Sequence, residues 1–138
     1  MKKKFKHTKT RVKRKTLIRK LDSEFSKYIR QKYAEKNGQV YCFTCTHKAH
    51  WKEMQNGHYI SRACLILRWN EQNCRPQCAG CNIFRSGKPV DFRENLVKEI
   101  GEEEVKTLEA SRFKIFKVDI DWFEERLAHY TELLKGLG

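Results

Sequence analysis

The chain has 138 residues, with 30 lysines and arginines against 17 aspartates and glutamates, for a formal charge of +13. That length suits one compact domain with extensions and excludes two ordinary cores. The 39% apolar share, with three Trp, eight Phe and five Tyr, suffices for a core beneath a strongly basic surface of pI near 9.6, which points to a polyanion as partner.

The opening run MKKKFKHTKTRVKRK, residues 1–15, has almost no apolar content and reads as a disordered basic arm: a solubilising tail, a localisation signal or, preferred here, a DNA-backbone arm. Leu17, Leu21, Phe25, Tyr28 and Ile29 then recur at helical spacing, which predicts an amphipathic helix over 16–37 that ends near Asn37-Gly38. Its apolar face serves core packing, or equally a dimer contact. No apolar run approaches the ~20 residues of a membrane span, and no apolar stretch of a signal peptide follows the basic start. A cytoplasmic protein is therefore expected, in a reducing setting where cysteines hold metals rather than form disulfides.

Cys42-x-x-Cys45 and Cys78-x-x-Cys81 are two such pairs, each able to form a tight knuckle. Together they offer the four thiolates of a closed tetrahedral zinc site, which staples a fold and leaves no open position for substrate. Cys64, within the apolar run ACLIL, reads as a small buried hydrophobe, and Cys74 as a competing ligand of poorer spacing. His47 and His50 are minority alternatives to a cysteine ligand.

Past this segment, Pro89 stands where a first helical residue would, Phe92, Leu96, Val97 and Ile100 follow, and Gly101 is a stop. Glu102 to Ala110 reads as another helix and FKIFKV as a short strand. Asp121 and Glu124 form a capping-box-like pair before the stripe Trp122, Phe123, Leu127, Tyr130, Leu133 and Leu134.

Between the cysteine pairs stand His58, followed by a strand-like YIS, then Asn73, and Asn82 just after the last cysteine. This order resembles the HNH, or ββα-metal, nuclease motif. The wider pattern of GHY, LRWNEQN, QCAGCN, a basic residue, SG and a helix ending in IG is similar to the NinG family of lambda-type phages, the recombination-enhancement proteins, over about residues 38–110. The Cys-x-x-Cys-Asn ending also resembles the junction resolvase endonuclease VII of phage T4.

The resemblance implies an α+β fold: a small zinc-stapled ββα-metal core over 38–88, flanked by the N-terminal helix and by a C-terminal helical region over 89–138. It implies a phage-encoded endonuclease, acting in the host cytoplasm on Holliday junctions and D-loops, as a homodimer and beside phage recombination proteins. His58 would deprotonate the attacking water, Asn73 would orient the imidazole through its other nitrogen, and Asn82 would hold a catalytic Mg²⁺ or Mn²⁺.

Both relatives carry an aspartate metal ligand three residues before that histidine. Gln55 occupies the position here, so either its amide oxygen serves, or Glu53 or Glu71 adds a carboxylate. Arg62, Arg68, Arg75, Arg85 and Lys88 surround the motif as candidate phosphate contacts. Two other functions stay open: a non-catalytic zinc-bound DNA module that recruits recombination partners, and a site-specific HNH nicking enzyme.

Overall fold

The computed structural model describes the backbone of residues 2–138 and, in the first helix, side chains from residue 9 onward. It is a mixed α+β chain, and it divides into two compact units where its length suggested one domain: Met1–Tyr28 with Lys117–Gly138, and Ile29–Phe116. The physical reason is that the two ends of the chain each carry a helix with its own aromatic stripe, and these bury one another.

In the first unit, helix α1 (Lys2–Lys32) contributes Leu17, Leu21 and Phe25, and helix α5 (Ile120–Leu137) contributes Phe123 and Tyr130, all buried. The Tyr130 ring meets Phe25 edge-on at 5.0 Å and Tyr28 at 5.3 Å. The stretch 1–15, expected as a disordered arm, is helical from Lys2 on. Lysine and arginine are good helix formers, and here the last turn of that stretch has partners: Lys13 pairs with Glu124 at 2.8 Å, and the Arg14 guanidinium lies over the Phe123 ring at 5.1 Å. The α5 cap is Asp119, whose carboxylate accepts from the Trp122 N–H at 3.1 Å, rather than Asp121. Asp119 immediately precedes the first helical residue, where a side chain can reach the unpaired N–H groups, and Glu124 is taken by Lys13.

The second unit is built on two antiparallel strand pairs. β1 (Gln39–Tyr41) and β2 (Lys48–His50) form one pair, with Val40 opposite Ala49. β3 (Gln55–His58) and β4 (Cys74–Gln77) form the other, with Gln55 opposite Gln77 and His58 opposite Cys74. The strand thus ends at His58, before the YIS expected to be one. Beyond Tyr59 the Asn73 side chain takes over from the ladder and accepts from the Ile60 N–H at 2.8 Å.

A short helix, α2 (Leu65–Arg68), and a tight turn at Glu71–Asn73 connect β3 to β4, and a π-helical turn, Gly80–Phe84, follows Cys78. Helix α3 (Pro89–Ile100) opens on its proline and stops at Gly101 (φ 90°), as the punctuation predicts, and α4 (Glu102–Ser111) follows. Phe92, Leu96 and Val105 from these helices pack with Phe43 and Tyr59. The helical region expected over 89–138 is accordingly split: α3 and α4 belong with the strands, α5 with α1. FKIFKV forms no strand. Phe113 and Ile115 within it stand exposed at 81% and 80%.

Candidate functional site

The loop from β1 to β2 carries Cys42 and Cys45, and the exit from β4 carries Cys78 and Cys81, so two local knuckles are brought face to face by tertiary packing. Their four sulfur atoms all lie within 4.8 Å of one another, and Cys45 and Cys78 Sγ are 3.7 Å apart. A tetrahedral ion with zinc–sulfur bonds of ~2.3 Å has sulfur–sulfur edges of about 3.8 Å, so the cluster can hold a metal such as zinc. Burial opposes ionisation of Cys42, yet backbone hydrogen bonds at Cys78 and Thr44, with the Thr44 hydroxyl and the Cys45 thiol, bring it down to about 6. Burial pushes Cys45 up to about 12 and Cys78 in the same direction. One thiolate is therefore favoured by the protein alone, and a coordinated cation would displace the remaining protons.

The alternative ligands fall outside this cluster. His47 is exposed, and the His50 Nδ1 accepts from the Lys52 N–H at 3.2 Å. Cys74 is fully buried beside the Arg68 carbonyl, 3.9 Å away, and burial raises its thiol far above the usual range. Cys64, expected to be buried, is only half-buried at the N-cap of α2, with its thiol near the Arg112 carbonyl at 3.8 Å.

The second constellation lies along β3. At its far end, His58 Nε2 donates to the Arg68 carbonyl at 2.9 Å, which assigns a ring hydrogen to Nε2. At its near end, the Asn82 amide donates to Gln55 Oε1 at 2.7 Å. Residues 55 and 82 are thus joined by a hydrogen bond across the sequence, while His58 stands three residues along the strand, about 10 Å by backbone rise.

Asn73 departs from the role expected of it. Fully buried, it donates both amide hydrogens to carbonyls, Ile60 O at 3.0 Å and Leu67 O at 3.2 Å, and accepts from Ile60 N. It orients no imidazole directly; it pins the loop whose next carbonyl, on Arg68, holds His58. Glu71 pairs with Lys32 at 3.3 Å, and Glu53 is exposed. Among the described residues, the four cysteines are the one cluster of three or more His, Cys, Asp or Glu side chains. Gln55 and Asn82 offer amide oxygens without charge, a weaker donor set for a hard dication than carboxylates.

Of the basic residues, Arg62 and Arg85 are exposed, and Arg68 stacks on Trp69 at 5.4 Å. The Lys88 ammonium donates to the Thr44 carbonyl at 3.1 Å and pairs with Asp91 at 3.5 Å. Arg75 is no phosphate contact. Its side chain is 3% exposed, pairs with Glu99 at 2.9 Å, donates to the carbonyls of Glu71, Gln72 and Cys74, and lies over the Tyr33 and Phe43 rings. The fully buried Gln77 was legible from no local pattern, yet its amide ties Thr44 Oγ1 (2.9 Å) to the Gly87 carbonyl (3.0 Å) and so binds one knuckle to the turn after the other.

Comparison with known proteins bears on the whole of this arrangement. The family model described as "Bacteriophage Lambda NinG protein" matches residues 1–138. Protein ninG of Escherichia phage lambda is 34% identical over 99 residues, covering 71% of this chain and 46% of that protein. Protein ninG of Salmonella phage P22 is 32% identical over 99 residues, with the same two shares, 71% and 46%. That of Enterobacteria phage H19B is 39% identical over 56 residues, 40% of this chain and 28% of the relative. The matched part of the chain thus spans about half the length of the lambda and P22 relatives, or less. No solved structure matches. The chain belongs to the NinG family.

Proposed function

We propose that this NinG-family chain is a metal-dependent endonuclease that cleaves branched DNA recombination intermediates such as Holliday junctions and D-loops. The observation that carries the reading is the His58 Nε2 bond to the Arg68 carbonyl at 2.9 Å, on the strand whose other end joins Gln55 to Asn82 at 2.7 Å. An imidazole oriented through Nε2 by a carbonyl is held in one tautomer, as a histidine acting as a general base is.

In this reading Nδ1 of His58 takes a proton from water as the water oxygen attacks phosphorus, while Nε2–H stays on the Arg68 carbonyl. Asn73 keeps that carbonyl in place by holding the preceding residue. Gln55 and Asn82 would hold a Mg²⁺ or Mn²⁺ ion, which when bound neutralises charge on the scissile phosphate and the leaving 3′ oxygen. Arg62, Arg68, Arg85 and Lys88 would meet backbone phosphates, so that DNA shape governs the target. The four cysteines would hold zinc as a structural staple. A homodimer would supply paired incisions on opposite strands, beside other phage recombination proteins.

One observation favours a second reading, a zinc-bound DNA module that recruits recombination partners without cutting: the Gln55–Asn82 pair carries no carboxylate. The test incubates the protein with a four-way junction and a matching linear duplex, with and without Mg²⁺ or Mn²⁺, beside His58→Ala. Metal- and His58-dependent cutting of the junction supports the nuclease. Tight junction binding with no cutting in either ion refutes it in favour of the recruiting module.

A further inference from the structure

The turn that follows Asn82 presents apolar surface to solvent. Ile83 is 57% exposed and Phe84 83%, side by side, with exposed Arg85 next in the chain and Lys88 three residues further. Scattered exposed apolar residues are ordinary, but this pair sits on a turn held in place from several directions. Arg85 N donates to the Gly80 carbonyl (3.0 Å), Gly87 N to the Cys81 carbonyl (2.8 Å) and Lys88 N to the Arg85 carbonyl (3.0 Å). The buried Gln77 amide grips the Gly87 carbonyl, and the Lys88 ammonium grips that of Thr44. Ser86, Gly87 and Lys88 have φ of 53°, 82° and 46° in succession, two of them side chains in a left-handed conformation that costs energy and persists where surroundings enforce it. These bonds hold the backbone of the turn that presents Phe84 to solvent.

We propose that Ile83 and Phe84 form a wedge that inserts between bases where a DNA duplex branches, an inference that rests on the branched-DNA reading above. Every base has an apolar face, and bases at a branch point are already partly unstacked, so a rigid aromatic ring gains stacking there that a continuous duplex yields only after unstacking. Arg85 beside the ring supplies the charge that holds the flanking phosphates. The wedge adjoins Asn82 in sequence and so ties recognition of the branch to the position of the cut.

The test uses the full chain in Mg²⁺-free buffer, a four-way junction with 2-aminopurine at the branch point, and the matching linear duplex. The native protein should raise the 2-aminopurine fluorescence and prefer the junction. Phe84→Ala should weaken junction binding by between about 5-fold and about 100-fold, leave duplex affinity unchanged and lose the fluorescence rise, and Phe84→Trp should restore both. Because Phe84 is exposed, metal content and thermal midpoint should not change. Phe84→Ala with full junction preference and full fluorescence overturns the wedge while leaving the branched-DNA reading intact. So does a loss that tracks dissociation of a dimer in sedimentation, which would make the pair a contact between copies. A native protein that does not distinguish junction from duplex sinks the underlying reading and the wedge with it.

Discussion

Asn73 makes three hydrogen bonds to backbone groups that have no water to turn to, so its alanine variant orphans Ile60 N, Ile60 O and Leu67 O together. Asn73→Ala should lose about 2–4 kcal/mol in urea unfolding, and the proposed junction cleavage should fall with it because the carbonyl that holds His58 is released. A stability change under about 0.5 kcal/mol would show that the amide is not the pin of this loop. Gln55 poses the opposite question, whether a missing charge limits the metal. A unit negative charge about 4 Å from a doubly charged cation is worth roughly 2 kcal/mol even in bulk water, so Gln55→Asp should tighten Mg²⁺ binding to the DNA-free protein at least about tenfold in calorimetry. Unchanged affinity would remove residue 55 from the ion site.

Between elements, the buried Arg75 joins β4 to the turn before it and to Glu99 on α3. Arg75→Met should cost about 2 kcal/mol or more through the carbonyls left unpaired and leave the salt dependence of DNA binding as it was; a weaker salt slope would restore Arg75 as a phosphate contact.

A second clamp joins α3 to α4: Arg93 bonds Glu102 at 2.8 Å and Glu109 at 3.0 Å, and the Tyr59 hydroxyl donates to Glu109 at 2.8 Å. The Arg93 hydrogen bonds hold both carboxyls below their ordinary 4.5. Since the folded values are depressed, the stabilisation is present above pH 4.5 and is lost as pH falls through the folded values. Replacing Arg93 with alanine should therefore flatten the acid limb of a plot of thermal midpoint against pH; an unaltered limb would show that other groups govern it.

For the molecule as a whole, the four cysteines unite two segments more than thirty residues apart, Cys45 and Cys78 being separated by 33 positions. Metal binding that gathers such distant ligands is folding free energy. Elemental analysis should find about one zinc per chain, and a chelator should unfold the strand pairs of the second unit; a protein that keeps its strand signal after losing the metal would contradict the staple. The net charge of +13 also predicts that DNA affinity falls steeply with salt, and a flat dependence would exclude backbone contacts as its source. Among the described residues no helix is long and apolar enough to cross a membrane.

His58, Gln55 and Asn82 came from the resemblance to the NinG pattern, whereas spacing within a few residues sufficed for the two Cys-x-x-Cys knuckles, for the apolar stripes of α1, α3 and α5, and for Pro89 and Gly101 at the ends of α3. These signals are local because a knuckle, a helical turn or a cap is completed by neighbours in the chain. Arg75 could not be read this way: whether an arginine faces phosphate or the interior depends on Glu99, Tyr33 and Phe43, none of them near it in sequence. The same holds for the amide of Asn73, and for the meeting of Gln55 with Asn82 across 27 positions. It holds too for the exposure of Phe84 and for the division into two units. Burial and hydrogen-bond partners of polar groups are set by which distant surfaces meet, and only the tertiary structure decides that.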